Sequence, residues 1–409
     1  LQALNIASIV EESEYPETKQ IGSVQSVLSF LALKLMSTKR LSHSNDYSID
    51  RGLGLFAGLN VLPKSAWYSS YSYRVTREMN KKLLLGLHKS VEKLKSSNGD
   101  FNLDFTAIPH WGEESELEKN WSGKRNKGIK SVLALLVQDQ GSKILKYGSA
   151  GTEQETQSES IIEFVDFYKE TGCKINCLMF DSKFTTYAQL SKLNDDDIKF
   201  ITLRRRSQDL IDSIENIPDE QWHVTKLGKE FKRKHKNITS CEKEITLTGY
   251  EGNLRQIIIT HNGREKPTFL ITNDFTLSQK AIILKYAKRW LVEQSISEQI
   301  EFYHLNHLSS SIVVKVDFDL TISILADTVY KLFAEQIARF SNSKSETINR
   351  LFIKNYSNFE INSINKTITI TLNKKVHLSL LHETDWFDGE TQIPWLFDYK
   401  LLFKIGSSL

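Results

Sequence analysis

The reading of the fold turns on "DFNLDFTAIPHW", residues 100 to 111. Phe101, Leu103 and Phe105 fall on one face of an extended chain, and Asn102, Asp104 and Thr106 fall on the other. A strand with one apolar face needs a core to lie on. A carboxylate inside a strand needs a reason, because acidic residues are depleted there.

Downstream, "SVLALLVQD" and "SKILKYGSAG" read as two more strands, with a tight turn near "DQGS". Ile161, Ile162, Val165 and Tyr168 then mark a helix that stops at Gly172, where a left-handed cap costs little. "INCLMFD" is a buried strand ending in Asp181, a helix carries Phe184, Tyr187 and Leu190, and "KFITL" is a further strand. Three strands, helix, strand, helix, strand is the grammar of an α/β layer with a mixed sheet.

Residues 204–274 interrupt that grammar. "QWHVTKL", "EKEITLTGYEGNLRQIIITHN" and "KPTFLITN" are rich in strand formers, so the segment reads as an inserted antiparallel subdomain carrying the basic run "KLGKEFKRKHK". Helical periodicity resumes at Thr276, where T-L-S-Q has the form of a capping box. A long apolar helix follows in "DLTISILADTVYKLFAEQIARF", and "KTITITLNKKVHLSL" alternates as a hairpin or small sheet.

Upstream, Val24, Val27, Leu28, Leu31 and Leu35 keep helical spacing, as do Met79, Leu83, Leu87, Val91 and Leu94. Between them two short helices meet at a turn, Asn60 to Pro63. This unit is either a helix-turn-helix, with Lys64 to Arg77 facing DNA, or a helical cap on the next domain. The expected organisation is a helical region 1–97, a core in two parts (98–203 and 275–345), the β-rich insertion 204–274, and a C-terminal region 346–409 with a hairpin.

Composition sets limits. The chain has 409 residues, 40% of them hydrophobic, enough for roughly two or three cores. Lys plus Arg exceeds Asp plus Glu by 53 − 50 = 3, so net charge does not announce a nucleic-acid binder and any basic surface is local. Cys173, Cys177 and Cys241 make neither a disulfide framework nor a partnered zinc site and read as core or strand residues in a reducing cytoplasm. No apolar run approaches the roughly 20 residues of a membrane span, and no signal pattern opens the chain. The expectation is a soluble cytoplasmic protein. The first residue is Leu rather than Met, which leaves room for a missing N-terminal module.

One helical stretch asks a chemical question. In "KYAKRWLVEQSISEQIEFYHLN", residues 285 to 306, spacings of three and four put Tyr286, Arg289 and Glu293 on one stripe. The stripe is either an ion-paired solvent face or a site. Asp104 and Asp181 stand on strands that meet if both are central and adjacent, and Glu293 on a helix across that edge would add a third carboxylate. Such hard oxygen donors suit Mg²⁺, which is bound through few carboxylates plus water and substrate oxygens. Taken singly, each acid has an ordinary explanation: a turn-starting Asp, or an i,i+4 pair with Arg289.

Together, "LDFTAIPHWG", "LMFDSKFTT" and "TNDFTLSQKAIILKYAKRWLVEQ" resemble the bacterial and archaeal cut-and-paste DDE transposases of the insertion-sequence group with a Y-x-x-R-x-x-x-E signature. The resemblance runs from about residue 20 to about 340. It implies a ribonuclease H-like catalytic core with flanking helices, interrupted by the β-rich insertion. It also implies Asp104, Asp181 and Glu293 as catalytic metal ligands, two Mg²⁺ ions with Mn²⁺ as a substitute, and cleavage at terminal inverted repeats. Strand transfer of the freed 3′-hydroxyl into target DNA would follow, carried out by a homodimer. Tyr286 and Arg289 are then phosphate contacts. Lys124, Arg125 and the run "FKRKHK" are either backbone contacts or solvated charge, and Trp222 either stacks on an extruded base or packs in a core. His110, one histidine near Asp104, reads as structural. One position departs from the pattern: Ile300 stands where the family often has Lys. A ribonuclease H-like nuclease would share the acids without joining strands, and a domesticated DNA-binding protein would bind without cutting.

Overall fold

The alternation of residues 101–106 builds the centre of a large mixed sheet. The computed structural model describes residues 1–111, 117–122, 126–182, 186–226, 237–261, 263, 265–307, 312–373, 376–384 and 386–406. Strand β1 (Asp100–Pro109) runs antiparallel to β3 (Lys127–Asp139), from Phe101↔Asp139 to Pro109↔Ser131. Short β2 (Lys119–Ser122) and β4 (Leu145–Ala150) both pair with β3. On its other side β1 runs parallel to β5 (Cys177–Phe180), and β5 parallel to β6 (Lys199–Leu203). The expected mixed α/β layer is therefore present.

Segment 204–274 opens with the short helix α8 (Gln208–Asp212) and does not stand apart from this sheet. Strands β7 (His223–Lys226), β8 (Asn237–Ile245), β9 (Leu254–Thr260) and β10 (Thr268–Thr272) are antiparallel as expected, and β10 pairs with β6. The strand order is β2-β3-β1-β5-β6-β10-β9-β8-β7. β10, "TFLIT", closes the open edge of β6 and is buried from Phe269 to Thr272.

Helices cover both faces. On one lie α6 (Ser160–Lys169) and α7 (Tyr187–Asp195), whose Phe164, Tyr168 and Leu190 pack on Phe101, Leu103, Leu178 and Phe180. Gly172, with φ +77°, makes the left-handed turn after α6. On the opposite face Met179, Ile201, Ile257 and Leu270 meet Ile282, Ile283 and Ala287 of α9 (Gln279–Ala287), which leads into α10 (Trp290–Glu301). Cys177 and Cys241 are buried and Cys173 is half-buried, all free thiols.

The upstream helices form where their apolar periods place them: α1 (Ile6–Glu12), α2 (Ser23–Leu35), α3 (Arg51–Phe56), α4 (Ser65–Tyr71) and α5 (Arg77–Leu94). They do not close a core of their own. Leu31, Tyr68, Leu83 and Leu87 share one cluster with Phe318 and Leu325 of the long helix α11 (Val313–Glu335) and with Ile368 and Trp395 near the C-terminus. There β11 (Ser357–Asn362) and β12 (Thr367–Leu372) form the hairpin, and β13 (Thr391–Ile393) and β14 (Tyr399–Ile405) complete a four-stranded sheet. Of residues 366–380, expected as a hairpin or small sheet, Thr367–Leu372 is strand, and residues 376–383 turn as a 3₁₀ helix that buries Leu378 and Leu381.

No helix is long and apolar enough to cross a membrane among the described residues.

Candidate active site

Parallel pairing brings the first two acids together. The register of β1 and β5 runs through Asn102↔Met179, and two residues further along each strand stand Asp104 and Asp181. Asp181 follows the last residue of β5, with Oδ1 accepting from Ser182 N at 2.6 Å.

The third acid arrives by a helix that breaks. The capping box expected at Thr276 is displaced: Ser278 is the cap, its hydroxyl accepting from Ala281 N at 3.2 Å. Thr276 instead donates Oγ1 to Asp274 Oδ1 at 2.7 Å, and Asp274 also accepts from the backbone N–H groups of Thr276 and Leu277. An aspartate with three donors competes for the Thr hydroxyl better than a backbone N–H does. Nor does one helix carry the Tyr286, Arg289, Glu293 stripe. Helix α9 ends at Ala287 and α10 starts at Trp290, with tight i→i+3 bonds at the joint: Arg289 N to Tyr286 O, 2.9 Å, and Leu291 N to Lys288 O, 3.0 Å.

The joint is fastened to the sheet by three amides that the sequence reading did not single out. Gln140 Nε2 donates to Lys285 O at 3.1 Å, Asn102 Nδ2 to Lys288 O at 3.3 Å, and Gln138 Nε2 to Leu291 O at 3.2 Å. Carbonyls near a helix break need partners, and these side chains supply them. Lys285 Nζ adds an ion pair with Asp100 at 2.8 Å. The available signal was Asn102, two residues before Asp104 on the same face of β1, and Gln138 at the end of the apolar run of β3.

Arg289 lies at the centre. Nη1 donates to Asp104 Oδ2 and Nη2 to Glu293 Oε1, both at 2.9 Å, so one planar guanidinium spans two of the acids. Burial works against its charge, but Tyr286, Asp104, Glu293 and Asp181 together hold the guanidinium's pKa above the ordinary value. Asp181 is thus within electrostatic reach of the same cation. For Asp104, burial raises the carboxyl above its usual range, and Arg289 opposes that rise only in part. Burial also pushes the Tyr286 phenol up to about 12. Its hydroxyl is buried beside the acids and the Arg289 guanidinium, with no well-formed hydrogen bond among the described residues.

Such a buried hydroxyl beside three hard carboxylates fits, in kind of donor, a site for a divalent cation and a phosphate. Among the described residues, no group of three or more His, Cys, Asp or Glu side chains is arranged as a ligand set. Arg289 engages two of the three acids, Asp104 and Glu293, through one hydrogen bond each.

Other expected contacts lie elsewhere. Lys124 and Arg125 fall outside the described residues, as does the whole of the run "FKRKHK". Trp222 is half-buried beside edge strand β7, six strands from β1, or roughly 30 Å at the usual strand spacing. The structure does not bring it to the acids. Ile300 sits near the end of α10.

The transposase DDE domain family matches residues 101–328, more than half of the chain and all of the elements just described. The chain belongs to that family. Among solved structures, the piggyBac transposase synaptic complex with hairpin DNA, determined by cryo-EM, resembles it with a TM-score of 0.42 and 10% identity. That likeness covers 86% of this chain and 76% of the other. No curated protein matches the chain. Membership of the transposase DDE domain family makes this chain a transposase. The insertion-sequence group and its signature rest on the motif alone.

Proposed function

We propose that this transposase cuts and joins DNA with Asp104, Asp181 and Glu293 as its metal ligands, on a core of ribonuclease H-like topology. The observation that carries the proposal is the shared reach of these three acids to Arg289, from β1, the end of β5 and α10. The order β3-β1-β5-β6, antiparallel then parallel, supports the assigned core.

Mg²⁺, or Mn²⁺ in its place and in two copies, would supply charge neutralisation and water activation when held by the three carboxylates. What the chain contributes is position. Arg289 is a planar fork suited to a phosphate once it leaves the carboxylates, and the buried Tyr286 hydroxyl beside it has a proton to donate. The amides of Asn102, Gln138 and Gln140 keep the helix joint, and with it Arg289 and Glu293, against the sheet. In this reading the DNA partners are terminal inverted repeats and a target, the working unit is a homodimer, and the protein acts in the cytoplasm on the nucleoid.

The test is incubation of the protein and Mg²⁺ with a duplex carrying the element's ends, followed by mapping of breaks and joints. Breaks at the boundary with joined product are expected, and Asp181→Asn should abolish both while duplex binding persists. Breaks without joints would indicate a nuclease instead.

A further inference from the structure

A cleft of about 490 Å³ opens between the upstream helices and the start of α11. Its walls carry Lys39, Arg40, Lys315, His304 and His307, with the hydroxyls of Ser42, Ser65 and Ser69 between them. Of its charges, Lys34 is neutralised by Asp319 at 2.7 Å. Among the described residues, no carboxylate pairs with Lys39, Arg40 or Lys315. Lys315 Nζ instead donates to Ser69 O at 3.4 Å and lies 3.2 Å from the centre of the exposed Tyr73 ring. Burial, with His307 and Lys34 adding, pulls the His304 pKa down to about 4. Burial, together with Lys39 and Arg40, also lowers that of His307. Both imidazoles are therefore neutral near pH 7, and the standing charge is that of the lysines and arginine.

The cleft is continuous with the acid-bearing elements. Residues 304–307 follow directly on α10, which carries Glu293, and Trp111, just beyond β1, donates Nε1 to Asn306 O at 3.3 Å. Helix α4 contributes Ser65 and Ser69 to the wall but buries Tyr68 and Tyr71, so this seven-residue helix is wall rather than a groove-reading element.

We propose that this cleft holds the phosphodiester backbone of the DNA duplex next to the cut, through Lys39, Arg40, Lys315 and the serine hydroxyls. Cations interleaved with hydroxyl donors match phosphate oxygens, and backbone contacts of this kind need no particular sequence. The proposal rests on the transposase reading for its occupant, but its test does not need the element's ends.

Binding of a short random-sequence duplex is measured against salt for the wild type and for Lys39→Gln/Arg40→Gln/Lys315→Gln. A control, Lys19→Gln/Lys89→Gln/Lys344→Gln, removes the same charge from exposed sites outside the cleft. Each backbone contact contributes about 0.9 to the slope of log K on log salt, so the cleft variant should lose roughly 2 to 3 in slope. The control should keep the wild-type slope. Lys39→Gln alone, at an exposed position, should lose about 0.9 and guards against a folding defect in the triple variant. Equal slopes in the cleft variant and wild type, or equal losses in cleft and control variants, overturn the proposal. So does saturable binding of inorganic phosphate that the triple variant loses without any change in duplex binding, since the cleft would then serve a small anion. Failure of the wild type to cut end-bearing DNA with Mg²⁺ would remove the transposase mechanism and leave these slopes to be read on their own.

Discussion

Arg289 Nη1 donates to Asp104 Oδ2 at 2.9 Å across 185 residues of sequence, while Nη2 of the same guanidinium holds Glu293. A cation already occupying the acids competes with any other cation for them. Arg289→Ala should therefore tighten Mn²⁺ binding in the absence of DNA, by about tenfold if the lost repulsion equals one pKa unit of interaction. The same substitution should slow DNA cleavage if Arg289 is the phosphate contact proposed above. Titration calorimetry reads the first effect. Unchanged or weaker Mn²⁺ binding would show that the guanidinium does not guard the site.

Asp104 gives that competition a pH dependence. Burial raises its carboxyl, and Arg289 pulls it partway back. The carboxyl must lose its proton to bind metal, so Mn²⁺ affinity should climb with pH through a range above that of an ordinary carboxylate and then level off. Removing the opposing charge in Arg289→Ala should shift this climb to higher pH. Asp104→Asn should remove it. A climb that stays at the same pH in Arg289→Ala would mean that another group titrates.

Much of this was legible because it is local. Alternation at residues 101–106 places β1, and the periods of α2, α5 and α6 follow from apolar spacing alone. The pair between Arg289 and Glu293 follows from i,i+4 spacing. The helix joint does not, since "KYAKRWLVE" contains neither Gly nor Pro and its residues are good helix formers. It exists because amides on β1 and β3, far away in sequence, accept the task of satisfying its carbonyls. Likewise, alternation in residues 254–272 predicts antiparallel strands but not that they would extend the central sheet through β6. That choice is made by which open edge lies within reach.

Helix α11 lies close against β4 because position 148 is Gly. A Cβ there would stand 2.5 Å from Ile324 Cδ1 and 3.1 Å from Leu320 Cδ2. Gly148→Ala should cost about 1 to 3 kcal/mol of stability, as overpacking in a closed core does. Ile324→Val removes the atom that clashes and alone should cost about 1 kcal/mol. The double substitution should then cost less than the sum, which urea unfolding of the four proteins measures. Simple additivity would mean that the backbone relaxes rather than the side chains colliding.

Asp327 sits fully buried in α11, with Oδ2 accepting from Lys331 Nζ at 2.7 Å and Oδ1 without a partner among the described residues. Burial pushes its carboxyl from 3.8 up to about 6; Lys331 opposes the rise and Glu298 adds to it. In this window the folded chain keeps a proton that the unfolded chain has released, so this group's contribution to stability falls as pH rises from about 4 to about 6 and stays low above that. An amide has no proton to lose there. The stability of Asp327→Asn relative to wild type should therefore improve between about pH 4 and about pH 7, by roughly 3 kcal/mol for a shift of about two units. Urea unfolding of both proteins at the two pH values gives the difference directly, and groups common to both proteins cancel in it. A difference that does not change with pH would mean that Lys331 keeps Asp327 ionised throughout.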